Sequence, residues 1–394
     1  MISILDRRTV VAPLRSTAFR RYIAGQLPSV TCSWAQVVAL SWLIVQIDPG
    51  ALGWVVVAQF LPSLLLGPWF GAVADRHDRR RLLIFAEAGL ALVALGYAAS
   101  SAAGVLRPPA IYALASTWGV INALDTPARR ALVPMLVPSE VAASAAALTG
   151  TVLVLGMALG TALGGVLVTI TGPAATFAVN AVSFLVDVII LATIRVAASP
   201  RVARAPRQIR EGIGYVWQAP ALRAAMLTLA IIATFAFTVQ VSVPVLAQEG
   251  FNGKPQTIGA FFTAVTGGSL AGTLVFAARV ATKPTRLTSP IFAMAAALLA
   301  TGLSACASVV ILGLCGVGFA WAYLLGKVLA ILQTSDPRLM GRVMSLFALV
   351  LLGGTTIGGP LAAGITGVAG CRAPFFIGAG SAVIAAGWLR HHAA

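Results

Sequence analysis

The chain has 394 residues, of which 59% are hydrophobic and only 10% charged, and its mean hydropathy is +0.94. Soluble domains are about 45–50% apolar and about 25% charged, so this composition predicts a membrane protein that crosses the bilayer several times. The net charge of +16 does not indicate nucleic-acid binding, because the basic residues form small groups between apolar segments.

Apolar segments long enough to cross a bilayer recur along the whole chain. A helix needs about 20 apolar residues to cross the hydrocarbon core. The predicted spans are 22–47, 51–74, 82–104, 109–125, 141–170, 174–195, 222–247, 257–279, 288–307, 309–332, 343–368 and 373–389. The division at Ser308 is the least marked, but 288–332 is long enough for two crossings. We therefore expect an all-α polytopic protein with twelve transmembrane helices.

The distribution of Lys and Arg predicts the orientation. With the N-terminus in the cytoplasm, all of the 27 basic residues except Arg107, Lys254 and Arg372 lie on the cytoplasmic side. Arg is abundant and Lys scarce, which is typical of a high-GC bacterial genome. We expect a multi-pass protein of the bacterial inner membrane with both termini in the cytoplasm.

The longest polar segment, 196–221, divides the chain into an N-terminal bundle, 1–195, and a C-terminal bundle, 222–394. Three positions recur at one constant offset between these parts: Gly160 and Gly358, Gly172 and Gly370, and Phe177 and Phe375. This repetition predicts a tandem duplication that forms two pseudo-symmetric six-helix bundles.

The segment 196–221 also contains apolar residues at helical spacing, namely Ile209, Ile213, Val216 and Trp217. They predict a short amphipathic helix that lies on the inner membrane surface. A regulatory binding segment is the alternative.

The connection between the second and third spans carries six charges in the seven residues 75–81. A glycine permits close helix approach, a carboxylate can pair or cap a helix, and arginines bind phosphate or carboxylate. A cluster that only fixes the orientation is the alternative. The residues of this motif are Gly71, Asp75, Arg76, Arg79 and Arg80.

The fifth span has small residues at every fourth position: Gly156, Gly160 and Gly164, followed by Gly165. This spacing lets two helices touch along their backbones, so packing alone would explain it.

Together with the segments 19–22, 125–134, 209–215 and 341–345, these motifs resemble the major facilitator superfamily along essentially the whole chain. The narrower resemblance is to the branch that contains the bacterial enterobactin exporter and the macrolide-efflux proteins. It implies two six-helix halves that rock around a central cavity, which is the alternating-access cycle.

The resemblance also implies a role for the charged loop, which would hold the outward-facing state as an inner latch. Asp75 would meet the start of the eleventh span, and an arginine of the loop would meet an acid at the end of the fourth span, where Asp125 lies. The corresponding loop 279–286 lacks the Gly and the Asp, so we expect a latch on one side only. The fifth-span motif resembles that of family antiporters, with Thr161 in place of the usual proline.

Acidic residues inside predicted spans are expensive and are candidates for proton coupling. They are Glu87 in the third span, Asp125 at the end of the fourth and Asp187 in the sixth. The resemblance places the third and sixth spans away from the cavity, so a structural role for Glu87 and Asp187 is the alternative.

The resemblance places the first, fourth, seventh and tenth spans around the cavity, and their polar and aromatic residues would line it. These are Gln26, Ser33, Trp34, Gln36, Trp118, Asn122, Phe235, Thr238, Gln240, Trp321, Tyr323 and Lys327. Such a lining suits a bulky amphiphilic substrate, and it equally suits helix packing. Lys327 would either meet an anionic group or extend to the membrane interface.

We therefore predict a proton-coupled exporter of small lipophilic molecules, such as drugs or siderophore-like metabolites. Its partners would be the substrate, protons and membrane lipids, and it would act as a monomer. The alternatives are a transporter of lysophospholipids or small solutes with the same fold, and a non-transporting membrane scaffold or sensor. We expect neither enzymatic activity nor a cofactor or metal, because nucleophile–base patterns, phosphate loops and metal-ligand spacings are absent from the sequence.

Overall fold

The computed structural model describes residues 11–194, 208–279, 287–336 and 339–392, without the side chains at 75, 208–212, 279 and 391–392. Throughout these ranges the regular structure is helical and contains no strand. Nine of the described helices are long and apolar enough to cross a membrane, and a shorter apolar helix spans Thr288–Leu303. The protein is thus an all-α polytopic membrane protein.

The first part of the chain forms long helices joined by short connections. Helices α1 to α4 span Thr17–Ile47, Ala51–Arg76, Arg79–Ala102 and Pro108–Leu132. A further helix over Ala142–Thr193 is broken at Gly172, whose φ of 82° and ψ of 169° suit only glycine. We label its parts before and after this break α5 and α6. Short 3₁₀ turns lie at Ala12–Arg15, Val133–Leu136 and Ser139–Val141.

The second part begins with a short helix, α7, at Gln208–Gln218. Helix α8, Pro220–Ile231, continues as a π-helical turn at Ile232–Ala236 before α9 begins at Val239. Helices α9 to α14 span Val239–Phe251, Pro255–Arg279, Thr288–Leu303, Ala307–Leu332, Met340–Ala369 and Ala373–His392.

The helix α7 coincides with the short helix predicted at 209–217. In it Val216 is buried while Ile213 and Trp217 are exposed, and the Tyr215 hydroxyl accepts a hydrogen bond from the backbone N–H of Asp336 at 3.1 Å. Most of the polar segment before α7 and most of the loop 279–286 lie outside the described residues.

The fourth helix does not end at residue 125, as the sequence indicated, but continues through Pro127 to Leu132. The physical reason is that the charge of Arg129 is compensated inside the protein. Its side chain is only 15% exposed and is paired with buried carboxylates, so this arginine can lie within the helix.

The chain forms two compact units: Met1–Leu40 with Pro62–Arg204, and Ser41–Leu61 with Ala205–Ala394. Residues 41–61 group with the second unit because they pack closely on α13. A Cβ at Gly53 would lie 2.8 Å from the carbonyl oxygen of Gly359 and 2.9 Å from Cα of Pro360.

Each unit contains the same kind of glycine contact. In the first unit a Cβ at Gly160 of α5 would overlap the carbonyl oxygen of Thr31 on α1. In the second unit a Cβ at Gly358 of α13 would overlap the carbonyl oxygen of Thr234, in the π-helical turn after α8. The two glycines are the pair that the sequence offset relates.

Candidate functional site

A single arginine meets three carboxylates inside the first unit. Arg129 of α4 pairs with Asp125 on its own helix, with Nη2 at 3.0 Å from Oδ1 and Nε at 3.1 Å from Oδ2. The same Nη2 donates to Glu87 Oε1 on α3, and Nη1 lies 3.7 Å from Asp187 Oδ2 on α6. We call these four residues the charge cluster.

Local sequence explains how the cluster is assembled. Asp125 and Arg129 lie four residues apart on α4, the spacing at which helical side chains meet. Asp187 fits against α1 because residue 25 is a glycine: a Cβ there would overlap Asp187 Oδ1 and lie 3.1 Å from Cδ1 of Ile190. Tyr22, one turn before Gly25, is fully buried and stands beside Arg129.

The charge cluster is buried, with 0–7% exposure for the three acids. If all four groups were ionised, their formal charges would sum to −2 in a protein interior. Uncompensated buried charge is expensive, and protonation of a carboxylate removes it. The arrangement can therefore hold and release protons.

The hydrogen bonding of the charge cluster is incomplete. Neither Asp187 oxygen makes a hydrogen bond of good geometry with the described residues, and the same holds for Glu87 Oε2 and Arg129 Nη1. The Asp187 carboxyl also stands beside that of Glu87. Two adjacent carboxyl groups can share one proton, and a shared proton would supply the missing donor.

Two arginines of the charged loop bond to groups outside the charge cluster. Arg80 donates to the carbonyl oxygens of Leu191, at 2.7 Å, and Ala192, and so satisfies the end of α6. Arg79 Nη1 contacts Met135 Sδ at 2.9 Å.

The predicted acid for a loop arginine, Asp125, pairs with Arg129 instead. Asp75 lies in the last turn of α2, and its side chain is outside the described part of the chain. The expectation that Gly71 permits a close helix contact is not met, because a Cβ there would have no atom of the described residues within 4 Å. Among the described residues, no other helix packs closely against α2 at Gly71.

The glycines of the fifth-span motif pack on α1. A Cβ at Gly156 would lie 2.6 Å from Cγ1 of Val30, and one at Gly164 would lie 2.7 Å from Cα of Ala35. Gly165 and Thr161 are also buried. The spacing therefore serves backbone contact between α1 and α5.

Of the predicted cavity residues in the first unit, Ser33 and Gln36 contact α6, and Gln26 is buried, with 1% exposure. Asn180 of α6 donates to Gln36 Oε1 at 2.8 Å and lies 3.4 Å from the Ser33 hydroxyl. Ser33 and Gln36 lie three residues apart on α1, so helical spacing lets both reach Asn180. The remaining cavity residues of this unit, Trp34, Trp118 and Asn122, are half-buried, and Trp118 packs on the apolar contact between α3 and α6.

The predicted cavity residues of the second unit form two groups. Phe235 and Thr238 line a shallow cleft, next to Leu361 and Ile365.

Aromatic residues form the other group. Trp321 stacks on Phe237 with 4.2 Å between ring centroids. Lys327 Nζ lies 5.3 Å from the ring centroid of Tyr323. Gln240 is half-buried.

Sequence reasoning missed the central residue, Arg129, and its neighbour Tyr22. Arg129 was counted as a cytoplasmic charge because the predicted fourth span, 109–125, ends before it. The spacing of four residues from Asp125 was the feature that could have identified the pair.

Comparison with known proteins identifies the family. Residues 8–394 match the family model described as transmembrane secretion effector, a group of the major facilitator superfamily. The chain belongs to this family.

Two curated relatives are similar at moderate identity. The chain is 24% identical over 344 residues to macrolide efflux protein A of Streptococcus pyogenes, covering 82% of this chain and 83% of that protein. It is 25% identical over 248 residues to the staphyloferrin A transporter of Staphylococcus aureus, covering 62% of each, so that alignment spans less than two thirds of the relative.

A solved D-xylose–proton symporter has the same fold, with a TM-score of 0.75, 14% identity, and coverage of 96% of this chain and 98% of that one. The protein is therefore a multi-pass membrane transporter of the major facilitator superfamily and not an enzyme. Its substrate is a small molecule, and its relatives make a bacterial plasma membrane the expected location.

Proposed function

We propose that this transporter exports small lipophilic molecules in exchange for protons, and that the charge cluster carries the proton. The observation that supports this most directly is the burial of Glu87, Asp125 and Asp187 around one arginine. One guanidinium compensates one carboxylate, so the remaining carboxylates form a site whose charge depends on bound protons.

The Glu87–Asp187 pair is the proton-carrying part of the proposed site. Asp125 accepts two hydrogen bonds from Arg129, one on each carboxylate oxygen. Glu87 and Asp187 have oxygens without a donor, and their carboxyl groups are adjacent. A proton bound between them leaves when the local conformation changes, and this links proton release to the transport cycle.

The driving force is adequate for export. One proton that moves down a potential of about 100 mV releases about 2.3 kcal/mol. Because about 1.4 kcal/mol corresponds to a tenfold ratio, this supports a substrate gradient of roughly fiftyfold.

The relatives support the substrate class, since the name of one specifies macrolide efflux and that of the other a siderophore, staphyloferrin A. We propose an amphiphilic substrate, carried by a monomer with twelve transmembrane helices in two six-helix halves and both termini in the cytoplasm. The loop with Asp75, Arg76, Arg79 and Arg80 would close the inner side.

The proposal is tested by energised export of ethidium and of radiolabelled erythromycin from cells that express the protein. Expressing cells should accumulate less of at least one probe than cells without the protein, and an uncoupler should abolish the difference. The double variant Glu87→Gln/Asp187→Asn should lose the uncoupler-sensitive difference. The variant Glu140→Gln should keep it, because Glu140 is an exposed carboxylate outside the charge cluster.

Equal accumulation of both probes with and without the protein would contradict export of lipophilic drugs. Uncoupler-sensitive export by the double variant would show that the proton binds elsewhere.

A further inference from the structure

Helices α1 and α6 present polar residues to each other inside the first unit. On α6 these residues recur every three or four positions as Thr176, Asn180, Ser183 and Asp187, in a helix that is otherwise almost wholly apolar. Polar groups in a membrane span are expensive unless they have a function or a partner. We call Gln26, Ser33 and Gln36 of α1, with Asn180 and Ser183 of α6, the polar seam.

Hydrogen bonds connect the upper part of the polar seam. Asn180, which is fully buried, donates to Gln36 Oε1 at 2.8 Å. The hydroxyl of Ser183 donates to Asn180 Oδ1 at 3.1 Å, and that of Ser33 lies 3.4 Å from the same oxygen. Amides and hydroxyls from two helices thus form one continuous network.

The lower end of the polar seam reaches the charge cluster. Ser183 lies one helical turn from Asp187, and Gln26 directly follows Gly25, which touches Asp187. Gln26 is 1% exposed, and its Oε1 has no hydrogen-bond partner among the described residues, as is also true of both Asp187 oxygens. Buried polar atoms of this kind are normally satisfied by internal water, which takes two to four such partners.

We propose that the polar seam is the route by which protons reach the charge cluster from the middle of the membrane. The inference rests on the proposed function, because it needs the charge cluster to bind protons. Ser33 lies eight residues beyond Gly25 on α1, which is about 12 Å along the helix axis. The route therefore spans about two fifths of a hydrocarbon core of about 30 Å.

Each transfer step along the route conserves atoms and charge. A water molecule or a serine hydroxyl accepts a proton on its oxygen and passes its own proton to the next oxygen. The carriers are the hydroxyls of Ser33, which is half-buried, and of Ser183, and both donate to Asn180 Oδ1. The amides of Asn180 and Gln36 hold these hydroxyls in place and carry no proton themselves. The net result is that one proton enters at the outer end and one carboxylate of the charge cluster becomes a carboxyl.

The destination of the proton is surrounded by charged and titratable groups from three other helices. Glu87 faces Asp187 from α3, Asp125 and Arg129 face it from α4, and Tyr22 lies on α1. The whole route lies within the first unit, so proton movement along it needs no contribution from the second.

The test measures hydrogen–deuterium exchange of the protonated carboxyl by infrared spectroscopy. Full-length protein in lipid vesicles is transferred into D₂O, and the shift of the carboxyl C=O band is followed in time. The variant Ser183→Ala/Asn180→Leu should exchange at least about tenfold more slowly than wild type, an increase of about 1.4 kcal/mol in the barrier. Ser183→Thr, which keeps the hydroxyl, should exchange at the wild-type rate.

A matched control removes a buried hydroxyl outside the polar seam. Thr149→Val is suitable because, among the described residues, the Thr149 hydroxyl bonds only to the carbonyl oxygen of Ala145 on its own helix, at 2.8 Å. This variant should exchange at the wild-type rate. If the Asn180→Leu change prevents folding, Ser33→Ala/Ser183→Ala provides the same comparison with two small substitutions.

The failures of the two proposals are distinguishable. Equal exchange rates in the seam variants and in wild type would overturn the route while leaving the proton site intact. A carboxyl band that is absent in wild type, or that persists unchanged in Glu87→Gln/Asp187→Asn, would overturn the proposed proton site, and the route would then have no destination.

Discussion

At Arg129 one guanidinium serves carboxylates from three different helices, so it is both an ion-pair partner and a structural bond between α3, α4 and α6. The neighbouring residue Arg130 has the same chemistry but is exposed. The difference between the two lies entirely in which face of α4 each occupies. Comparing substitutions at Arg129 and Arg130 therefore separates the effect of burial from the effect of charge.

We expect Arg129→Met to lower the free energy of unfolding by about 3–5 kcal/mol, because it leaves buried carboxylates without a counter-charge. The measurement is thermal unfolding of detergent-solubilised protein followed by circular dichroism. Arg130→Met should change the free energy by no more than about 0.5 kcal/mol, as is usual for surface substitutions. Similar melting temperatures for the two variants would contradict the burial argument.

Among the helices, α1 uses two different faces in the first unit. One face meets the glycines of α5 at backbone distance, and another meets the polar residues of α6. The first contact depends on the absence of side chains and the second on hydrogen bonds. Together they fix the rotation of α1 about its axis, which is what brings Tyr22 and Gly25 to the charge cluster.

A methyl group at Gly160 should destabilise the protein, because it would overlap the carbonyl oxygen of Thr31 and approach Cβ of Trp34 to 2.7 Å. We expect Gly160→Ala to lower the free energy of unfolding by about 1–3 kcal/mol, the usual effect of overpacking. Gly150→Ala on the same helix is the control, since its added Cβ would have no atom within 4 Å in the part of the chain that the structure describes. It should be neutral or stabilising, because alanine favours helix over glycine. An unchanged melting temperature for Gly160→Ala would show that α1 and α5 do not pack as described.

At the scale of the whole molecule, the two parts of the chain repeat an unusual backbone geometry. Gly172, which ends α5, has φ 82° and ψ 169°, and Gly370, which ends α13, has φ 85° and ψ 167°. These are the positions that the sequence offset relates. A left-handed glycine at both places turns the chain sharply, so the same residue type ends the corresponding helix in each part.

The orientation in the membrane gives a prediction about Cys306, which is exposed just before α12. The Ser308 hydroxyl, 3.0 Å from Sγ, together with the backbone N–H groups of Ser308 and Val309, lowers the pKa of the Cys306 thiol. In a variant with Cys306 as its single cysteine, this thiol should react with a membrane-impermeant maleimide in intact cells, because the positive-inside distribution predicts that residue 306 lies outside. A lowered pKa means more thiolate at neutral pH, so the labelling rate should reach its plateau at a lower pH than for an ordinary thiol of pKa about 8.5.

The matched cytoplasmic position is Arg130→Cys in a background without other cysteines. It should react only after the membrane has been permeabilised. Labelling of Arg130→Cys but not of Cys306 in intact cells would invert the proposed orientation.

The sequence by itself determined the class of molecule. Segment length, hydropathy and the positions of Lys and Arg are local properties, and the free energy of placing each segment in lipid or water depends on them directly. The recurring glycines could also be recognised from the sequence, because the backbone geometry at Gly172 and Gly370 is one that glycine readily adopts and other residues do not. The sequence therefore indicated the superfamily, and the family comparison agrees.

Only the tertiary structure decided the site. Glu87, Asp125, Arg129 and Asp187 lie on three helices, and hydropathy does not specify the direction in which each helix is rotated. The polar residues Gln26, Ser33 and Gln36 were assigned to a cavity for the same reason: a polar stripe on α1 is equally compatible with water and with a second polar stripe. Packing resolves this, because Gly25 and Gly160 let α6 and α5 approach α1 and thereby set which face each side chain occupies.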